Sequence, residues 1–271
     1  MNLEVISKFP DRSSHHPPLV LIHGAWHGAW CWKGNFLDYF AANGWDVHAI
    51  SLRGHGNSEG KNKLRCWSIA DYVADVDQFV KTLDLPPILV GHSMGGFVTQ
   101  KYLENHSVAG AVLLASVPPS GTLKFYIRII RKYPLIGLKM LLLMSAYPLV
   151  KNPIHAKEWF FSAEISDEAL ATHHAQLQDE SLRASLDMLA FDLPRPSMVT
   201  SPVAVVGGER DAIFSVAEVE ETARAYGVEP KIFANTAHNM MCEPNWQDVA
   251  AWITLWGESL SLNLKHEQGR S

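Results

Sequence analysis

The stretch ILVGHSMGGFVT, residues Ile88 to Thr99, joins an apolar run to a glycine-rich turn and then to a helical pattern. The turn places Ser93 between Gly91 and Gly95, which fits the pattern G-x-S-x-G. With a strand before it and a helix after it, this pattern is typical of a turn that presents a serine hydroxyl at the edge of a sheet. The same glycines also suit a turn that only packs, so the remaining motifs must separate the two interpretations.

A serine hydroxyl is a weak nucleophile unless a neighbouring base accepts its proton. In proteins with this turn, an acid and then a histidine follow the serine along the chain. Asp211 follows the apolar run SPVAVVGG, and His238 follows the run PKIF. Because the carboxyl ends of parallel strands meet at one edge of a sheet, Ser93, Asp211 and His238 are predicted to form a catalytic triad. The other acids that remain open are Glu209, Asp192 and Asp187.

The stretch LIHGAWHGAW predicts a loop that approaches the serine. Its glycines allow the backbone N–H of Ala25 to reach Ser93, where it forms an oxyanion hole with the N–H of Met94. Trp26 is the alternative donor in this loop. Trp26 and His92 are also predicted to contact the substrate.

Apolar runs alternate with helical patterns along the chain, which predicts a mostly parallel sheet with helices on its faces. The helix predicted over residues 69–83 begins at Ser68, with Asp71 three residues later as in a capping box. Other helices are predicted over residues 94–104, 216–226 and 246–256. The predicted strands are PLVLIHG (18–24), WDVHAISL (45–52), PPILVG (86–91), VAGAVLLAS (108–116), SPVAVVGG (201–208) and PKIF (230–233).

The alternation of strand-like and helical patterns is interrupted by one long segment, in which only helical patterns occur. The sequence therefore predicts a core of residues 1–118 and 196–271 and a helical lid of residues 119–195. An insertion at this point is expected near the carboxyl ends of the strands, where open α/β sheets bind ligands.

The composition limits the function classes. The chain has 271 residues, 47% of them hydrophobic and 19% charged, with a net charge of −5, as expected of an ordinary globular protein. Its Lys and Arg residues do not cluster, so no nucleic-acid partner is predicted. Paired histidines such as His173 and His174 lack further ligands at metal spacing, so no metal site is predicted.

The location and partners are predicted from a few further features. No signal peptide is visible at the amino terminus, and Lys139 and Pro148 interrupt the most apolar segment, so no membrane span is predicted. The three cysteines have no spacing typical of a zinc site, which favours free thiols in a reducing compartment. The sequence thus predicts a cytoplasmic protein, a monomer or a homodimer.

The motifs HGAWHGAW, LRGHGNS, GHSMGG, GGERD and AHNMM stand in this order along nearly the whole chain. In this arrangement the sequence resembles the α/β-hydrolases of the serine carboxylesterase and lipase group. The resemblance implies an α/β-hydrolase fold with a helical lid, a triad of Ser93, His238 and Asp211, an oxyanion hole from Ala25 and Met94, and no cofactor.

The motifs resemble different branches of that group. HGAWHGAW is similar to the plant methylesterase and hydroxynitrile-lyase branch, whereas GHSMGG and LRGHGNS are similar to bacterial esterases and monoacylglycerol lipases. Ser51 is a departure, because many relatives carry Asp at this place before LRGHG.

The predicted function is hydrolysis of a small-molecule carboxylic ester through an acyl-enzyme intermediate. The Leu- and Met-rich lid and the tryptophans near residue 30 favour an apolar acyl or aromatic group. Two alternatives remain open at this stage: a lyase or carbon–carbon hydrolase that uses the same triad, and a ligand receptor of the same fold with little turnover.

Overall fold

The computed structural model of the protein describes residues 1–12, 14 and 16–268. Its seven-stranded sheet has the order β1-β3-β2-β4-β5-β6-β7. β1 is antiparallel to β3, and all other neighbouring strands are parallel. The strands are β1 (Val5–Lys8), β2 (Leu19–Ile22), β3 (Val47–Ile50), β4 (Ile88–His92), β5 (Gly110–Leu114), β6 (Val203–Gly208) and β7 (Pro230–Phe233).

The six predicted strands are confirmed, with shorter or equal bounds except that β4 ends at His92, one residue beyond the predicted end. Five of them, β2 to β6, are buried at every residue, which explains their continuous apolar character. The sequence interpretation missed β1, which is short and largely exposed because it lies at the edge of the sheet.

The four predicted helices are confirmed as α2, α3, α9 and α10, and the last of these extends beyond residue 256. Ser68 and Asp71 form the predicted capping box at the start of α2. The helices are α1 (Phe36–Ala42), α2 (Ile69–Val80), α3 (Met94–Leu103), α4 (Leu123–Lys132), α5 (Pro134–Leu143), α6 (Pro153–Phe160), α7 (Asp167–His174), α8 (Leu182–Leu186), α9 (Val216–Tyr226) and α10 (Trp246–Gln268).

Helices α4 to α8 all lie in the connection between β5 and β6. Residues 119–195, all of which the structure describes, contain no strand. β5 and β6 are nevertheless hydrogen-bonded neighbours. The helical segment therefore connects two adjacent strands of the sheet. The division into a core and a lid of residues 119–195 stays a prediction.

The hydrophobic core lies on both faces of the sheet. In β2, Leu19 and Leu21 belong to one buried cluster, whereas Val20 and Ile22 belong to the other. This alternation follows from the two-residue period of a strand. Because both faces are covered, the loops at the carboxyl ends of the strands are the part of the sheet that can present polar groups to a ligand.

A carboxylate lies next to Ser51, the residue at which the sequence departs from the group it resembles. The Ser51 hydroxyl donates a hydrogen bond of 2.6 Å to Glu4 Oε2 and accepts one of 2.8 Å from the N–H of Ala29. Glu4 immediately precedes β1, so the edge strand that the sequence did not predict positions this carboxylate next to Ser51.

Candidate active site

Ser93 lies at the turn between β4 and α3 in a backbone conformation that is rare for residues other than glycine, with φ 52° and ψ −115°. Such a conformation costs of the order of 1–3 kcal/mol and must be held by its surroundings. A Cβ at Gly95 would lie 2.3 Å from the carbonyl oxygen of Ile22, and a Cβ at Gly91 would lie 2.4 Å from that of Gly95. Gly95 is therefore needed because α3 passes close to β2, and Gly91 is needed because β4 passes close to α3.

Asp211 and His238 are in contact across the loops that follow β6 and β7. His238 Nδ1 donates a hydrogen bond of 2.8 Å to Asp211 Oδ2, and both side chains are almost fully buried. Asp211 Oδ1 accepts hydrogen bonds from the N–H groups of Ile213 and Phe214. The carboxylate thus accepts on both oxygens and keeps the proton of His238 on Nδ1, which leaves Nε2 free to act as a base.

The structure gives the other candidate acids different partners. Glu209 is exposed, and its Oε2 accepts a hydrogen bond from the N–H of Asn235. The carboxylates of Asp187 and Asp192 form ion pairs with basic side chains. Of the four candidates, Asp211 is the one in contact with His238.

The N–H groups of Ala25 and Met94 have no hydrogen-bond acceptor within the described residues. Both residues line the same cavity as Ser93, and Met94 is the first residue of α3. A helix amino terminus favours negative charge, so this N–H is suited to a developing oxyanion. The alternative donor in the loop is already engaged, because the N–H of Trp26 lies 3.3 Å from Glu180 Oε2 and donates to it.

Residues of the helical segment 119–195 form hydrogen bonds with both backbone polar groups of Trp26. The carbonyl of Trp26 accepts a hydrogen bond of 3.0 Å from the N–H of Gln178, and its N–H donates to Glu180. Trp26 has φ 66°, an unfavourable value that these contacts stabilise. Sequence reasoning missed Gln178 and Glu180, since no motif or spacing connects them with the loop.

Glu180 is fully buried and belongs to a wider polar network. Its carboxylate accepts hydrogen bonds from His55 Nε2 at 3.0 Å and from the hydroxyl of Tyr72 at 2.9 Å. Burial by itself would raise the pKa of Glu180, but the charge and hydrogen bond of His55, together with the hydrogen bonds from Ser181 and Tyr72, outweigh it, and the pKa lies below its usual value. Burial lowers the pKa of His55, but the charge and hydrogen bond of Glu180 raise it, and the pKa lies above its usual value. The two groups therefore form a buried ion pair beside the candidate active site.

A small cavity of about 30 Å³ lies beside Ser93. One water molecule occupies about 30 Å³ in the liquid, so an ester can enter only if lining side chains move. Tyr126 and Ser185 also line a larger apolar groove of about 420 Å³, which adjoins this cavity. The cavity is lined by Ala25, Trp26, Ser93, Met94, Val117, Thr122, Phe125, Tyr126, Glu180, Ser185, Met188, Ile213 and Phe214.

The two predicted substrate contacts have different positions. Trp26 lines the cavity, whereas His92 is not among the lining residues. His92 is buried, and its Nε2 donates a hydrogen bond of 3.0 Å to the carbonyl of His238. The structure thus places His92 against the loop that carries His238, where it supports that loop rather than reaching the cavity.

Two further buried histidines are held as neutral rings. His23 Nδ1 donates to the carbonyl of Gly24, and its Nε2 accepts from the N–H of Leu52. Burial, and then the charge of His55, lowers the pKa of His23 to about 3. The pKa of His27 also lies well below its usual value because of burial and the nearby His173.

These histidines make the protein sensitive to mild acid. Below pH about 6.5, His23 and His27 bind protons in the unfolded chain but stay neutral in the folded protein. The free energy of unfolding therefore decreases as the pH falls. Because the pKa of His23 is about 3, this residue is expected to lower the unfolding free energy by about 2 kcal/mol at pH 5, and His27 acts in the same direction. His55 acts in the opposite direction, since its pKa is raised. We expect the urea midpoint to decrease from pH 7.5 to pH 5, and an unchanged or higher midpoint would contradict this expectation.

The fold and its motifs define a family. The model of the alpha/beta hydrolase family matches residues 19–252, and the chain belongs to this family. Its relatives have several different activities in their names, as the individual similarities show.

Norfluorocurarine synthase 1 from Strychnos nux-vomica is 36% identical over 105 residues, 37% of this chain and 38% of that protein. The chain thus matches well under half the length of this relative. Monoacylglycerol lipase from Mycolicibacterium smegmatis is 24% identical over 79% of this chain and 80% of its own. The putative non-heme bromoperoxidase BpoC from Mycobacterium tuberculosis has a similar structure, with a TM-score of 0.76, 20% identity and coverage of 96% and 97% of the two chains.

Proposed function

We propose that the protein hydrolyses carboxylic esters by acyl transfer to Ser93. The observation that carries the proposal is the contact of 2.8 Å between His238 Nδ1 and Asp211 Oδ2, on loops at the same sheet edge as the strained turn of Ser93. Phe214 links these groups, because it lines the cavity beside Ser93 and its ring centroid lies 5.6 Å from that of His238. The similarity to a monoacylglycerol lipase also supports this reaction class.

The proposed reaction has two steps. In the first, His238 Nε2 takes the proton of the Ser93 hydroxyl while Oγ attacks the ester carbonyl carbon. The N–H groups of Ala25 and Met94 stabilise the oxyanion, and His238 then gives its proton to the departing alcohol. In the second, His238 activates a water molecule that attacks the acyl-enzyme, releases the acid and restores the Ser93 hydroxyl. Asp211 orients the imidazole and stabilises its charged form throughout.

The lining of the cavity favours an uncharged, apolar group on the substrate. Aromatic and aliphatic side chains dominate the lining, and the one carboxylate among them, Glu180, is already paired with His55. A negatively charged group on the substrate would meet this carboxylate without a free cation among the described lining residues. An apolar acyl chain or an aromatic group fits the site better.

We also propose a location and an assembly state for the protein. Cys31, Cys66 and Cys242 are free thiols, which supports a reducing compartment and thus the cytoplasm. A monomer or a homodimer stays the prediction.

Covalent labelling tests the proposal directly. A fluorophosphonate probe is expected to label the wild-type protein at a single serine, which peptide mapping places at Ser93. Nitrophenyl esters from acetate to palmitate, compared by kcat/KM, then define the acyl group. Since the fold also hosts other chemistry, the acid product must be identified. Labelling at another serine, or no hydrolysis of any ester, would contradict the proposal.

A further inference from the structure

Helix α5 is apolar on every side and yet has no buried residue. Its sequence PLIGLKMLLL contains a single charged residue, Lys139, and none of its ten residues is buried. Leu135 and Leu141 are each 74% exposed. A helix that is apolar all round is ordinarily enclosed by protein or by lipid. The exposed state of α5 therefore indicates a surface that something else covers.

The exposed apolar surface extends from α5 to its neighbours. The groove of about 420 Å³ lies between α5 and α4, where Ile127 and Ile130 line it. A second apolar groove, of about 770 Å³, lies between α5 and residues 148–155. We call this surface the α4–α5 face and define it by Ile127, Ile130, Leu135, Leu141, Leu142 and Met144, which are all exposed.

The face is also basic in a chain whose net charge is −5. Residues 123–157 contain seven Lys and Arg residues and no Asp or Glu. Some of them pair with acids outside the segment, but Arg131, Lys139 and Lys151 are exposed and form no ion pair within the described residues. Lys139 and Lys151 both line the larger groove. The expectation that Lys and Arg do not cluster is thus wrong for this segment, in which four of the seven lie within residues 124–132.

We propose that the α4–α5 face docks on the surface of a membrane that contains anionic lipid, with α5 lying in the interface. Exposed leucines combined with unpaired cations are typical of helices that bind in this way. A helix of ten residues is about 15 Å long, half of the hydrocarbon thickness, so α5 lies in the membrane surface and does not cross it. In the described part of the chain, no helix is long and apolar enough for a span.

The charge of the face argues against a second copy of the chain as the occupant. Two such faces in contact would bring unpaired cations of the same sign together in an apolar interface, which is unfavourable. Anionic headgroups supply the opposite charge. Since Tyr126 and Ser185 connect the groove with the cavity beside Ser93, docking here would also place that cavity next to the lipid phase.

Vesicle binding tests the proposal without any use of hydrolysis. The full-length protein is expected to sediment with vesicles of phosphatidylcholine and phosphatidylglycerol, more weakly with pure phosphatidylcholine, and less with added salt. The triple variant Arg131→Gln, Lys139→Gln, Lys151→Gln is expected to bind the anionic vesicles about 100-fold more weakly, or about fivefold for each cation. The variant Leu141→Ser, Leu142→Ser is expected to lose binding to both kinds of vesicle.

Matched variants separate docking from general effects of exposed leucines. Leu85 and Leu255 are 58% and 65% exposed and lie outside the face, so Leu85→Ser, Leu255→Ser is expected to bind like the wild type. Absence of wild-type binding to anionic vesicles, or an equal loss in this control, would overturn the proposal. So would a wild-type dimer in sedimentation that Leu141→Ser, Leu142→Ser converts to a monomer, because a second copy would then cover the face. Hydrolysis of a short, water-soluble ester is measured separately, and its failure would concern the proposed function alone.

Discussion

Replacement of Ser93 by Ala is expected to reduce kcat for a nitrophenyl ester by about a millionfold. In the proposed mechanism the Ser93 hydroxyl forms the acyl-enzyme, and of the hydroxyl side chains that line the cavity it is the one on the strained turn before α3. The fold should persist, because the Ser93 side chain makes no capping hydrogen bond with α3. The measurement is the steady-state rate, supported by a circular dichroism spectrum of each variant.

A buried serine at the same edge of the sheet provides the control. Ser116 follows β5 and is 7% exposed, the same fraction as Ser93, and its hydroxyl donates to the carbonyl of Val117. Ser116→Ala is therefore expected to keep the wild-type rate to within a small factor. A Ser93→Ala protein that hydrolyses the ester at the wild-type rate would remove Ser93 from the proposed mechanism.

Replacement of Asp211 by Asn is expected to reduce kcat by about ten thousandfold. The two N–H groups of Ile213 and Phe214 point at Oδ1, so the amide oxygen of Asn must take this place. The amide NH₂ then faces His238 Nδ1 as a donor, and the imidazole carries its proton on Nε2. In that tautomer His238 cannot accept the proton of Ser93.

Glu209→Gln is the matched control, because Glu209 lies on the same loop and was the closest rival in the sequence. Its carboxylate contacts the backbone of Asn235, so kcat is expected to change little. The assignment of Asp211 would fail if Glu209→Gln lost activity and Asp211→Asn kept it. Nuclear magnetic resonance of the His238 ring nitrogens reports the tautomer directly.

The elements that could be predicted are those whose signal is local. β4, the turn at Ser93 and α3 are adjacent in sequence, and the capping box at Ser68 needs only four consecutive residues. The order of Ser93, Asp211 and His238 was readable because each follows its own apolar run. β1 was missed because an exposed edge strand lacks the continuous apolar pattern of buried strands.

Other features depend on contacts between distant residues, for which the sequence carries no pattern. Gln178 and Glu180 hold the loop of Trp26 from more than 150 positions away. The neutral state of His23 follows from complete burial, and the bond between Trp26 and Glu180 removes the N–H of Trp26 from the candidate oxyanion donors. The exposure of α5 could not be predicted from the sequence either, since the same leucines could have packed into the core of the helical segment.

By itself, the sequence determined an alternating α/β chain with a serine at a strained turn, an acid and a histidine after later strands, and a helical insertion. These features are local, because a strand, a turn or a cap is set by neighbouring residues. Only the tertiary structure decided which acid contacts His238, which backbone N–H groups remain free, and which leucines stay exposed. Those outcomes depend on packing between segments that are far apart in the chain, where burial and competition for hydrogen-bond partners act.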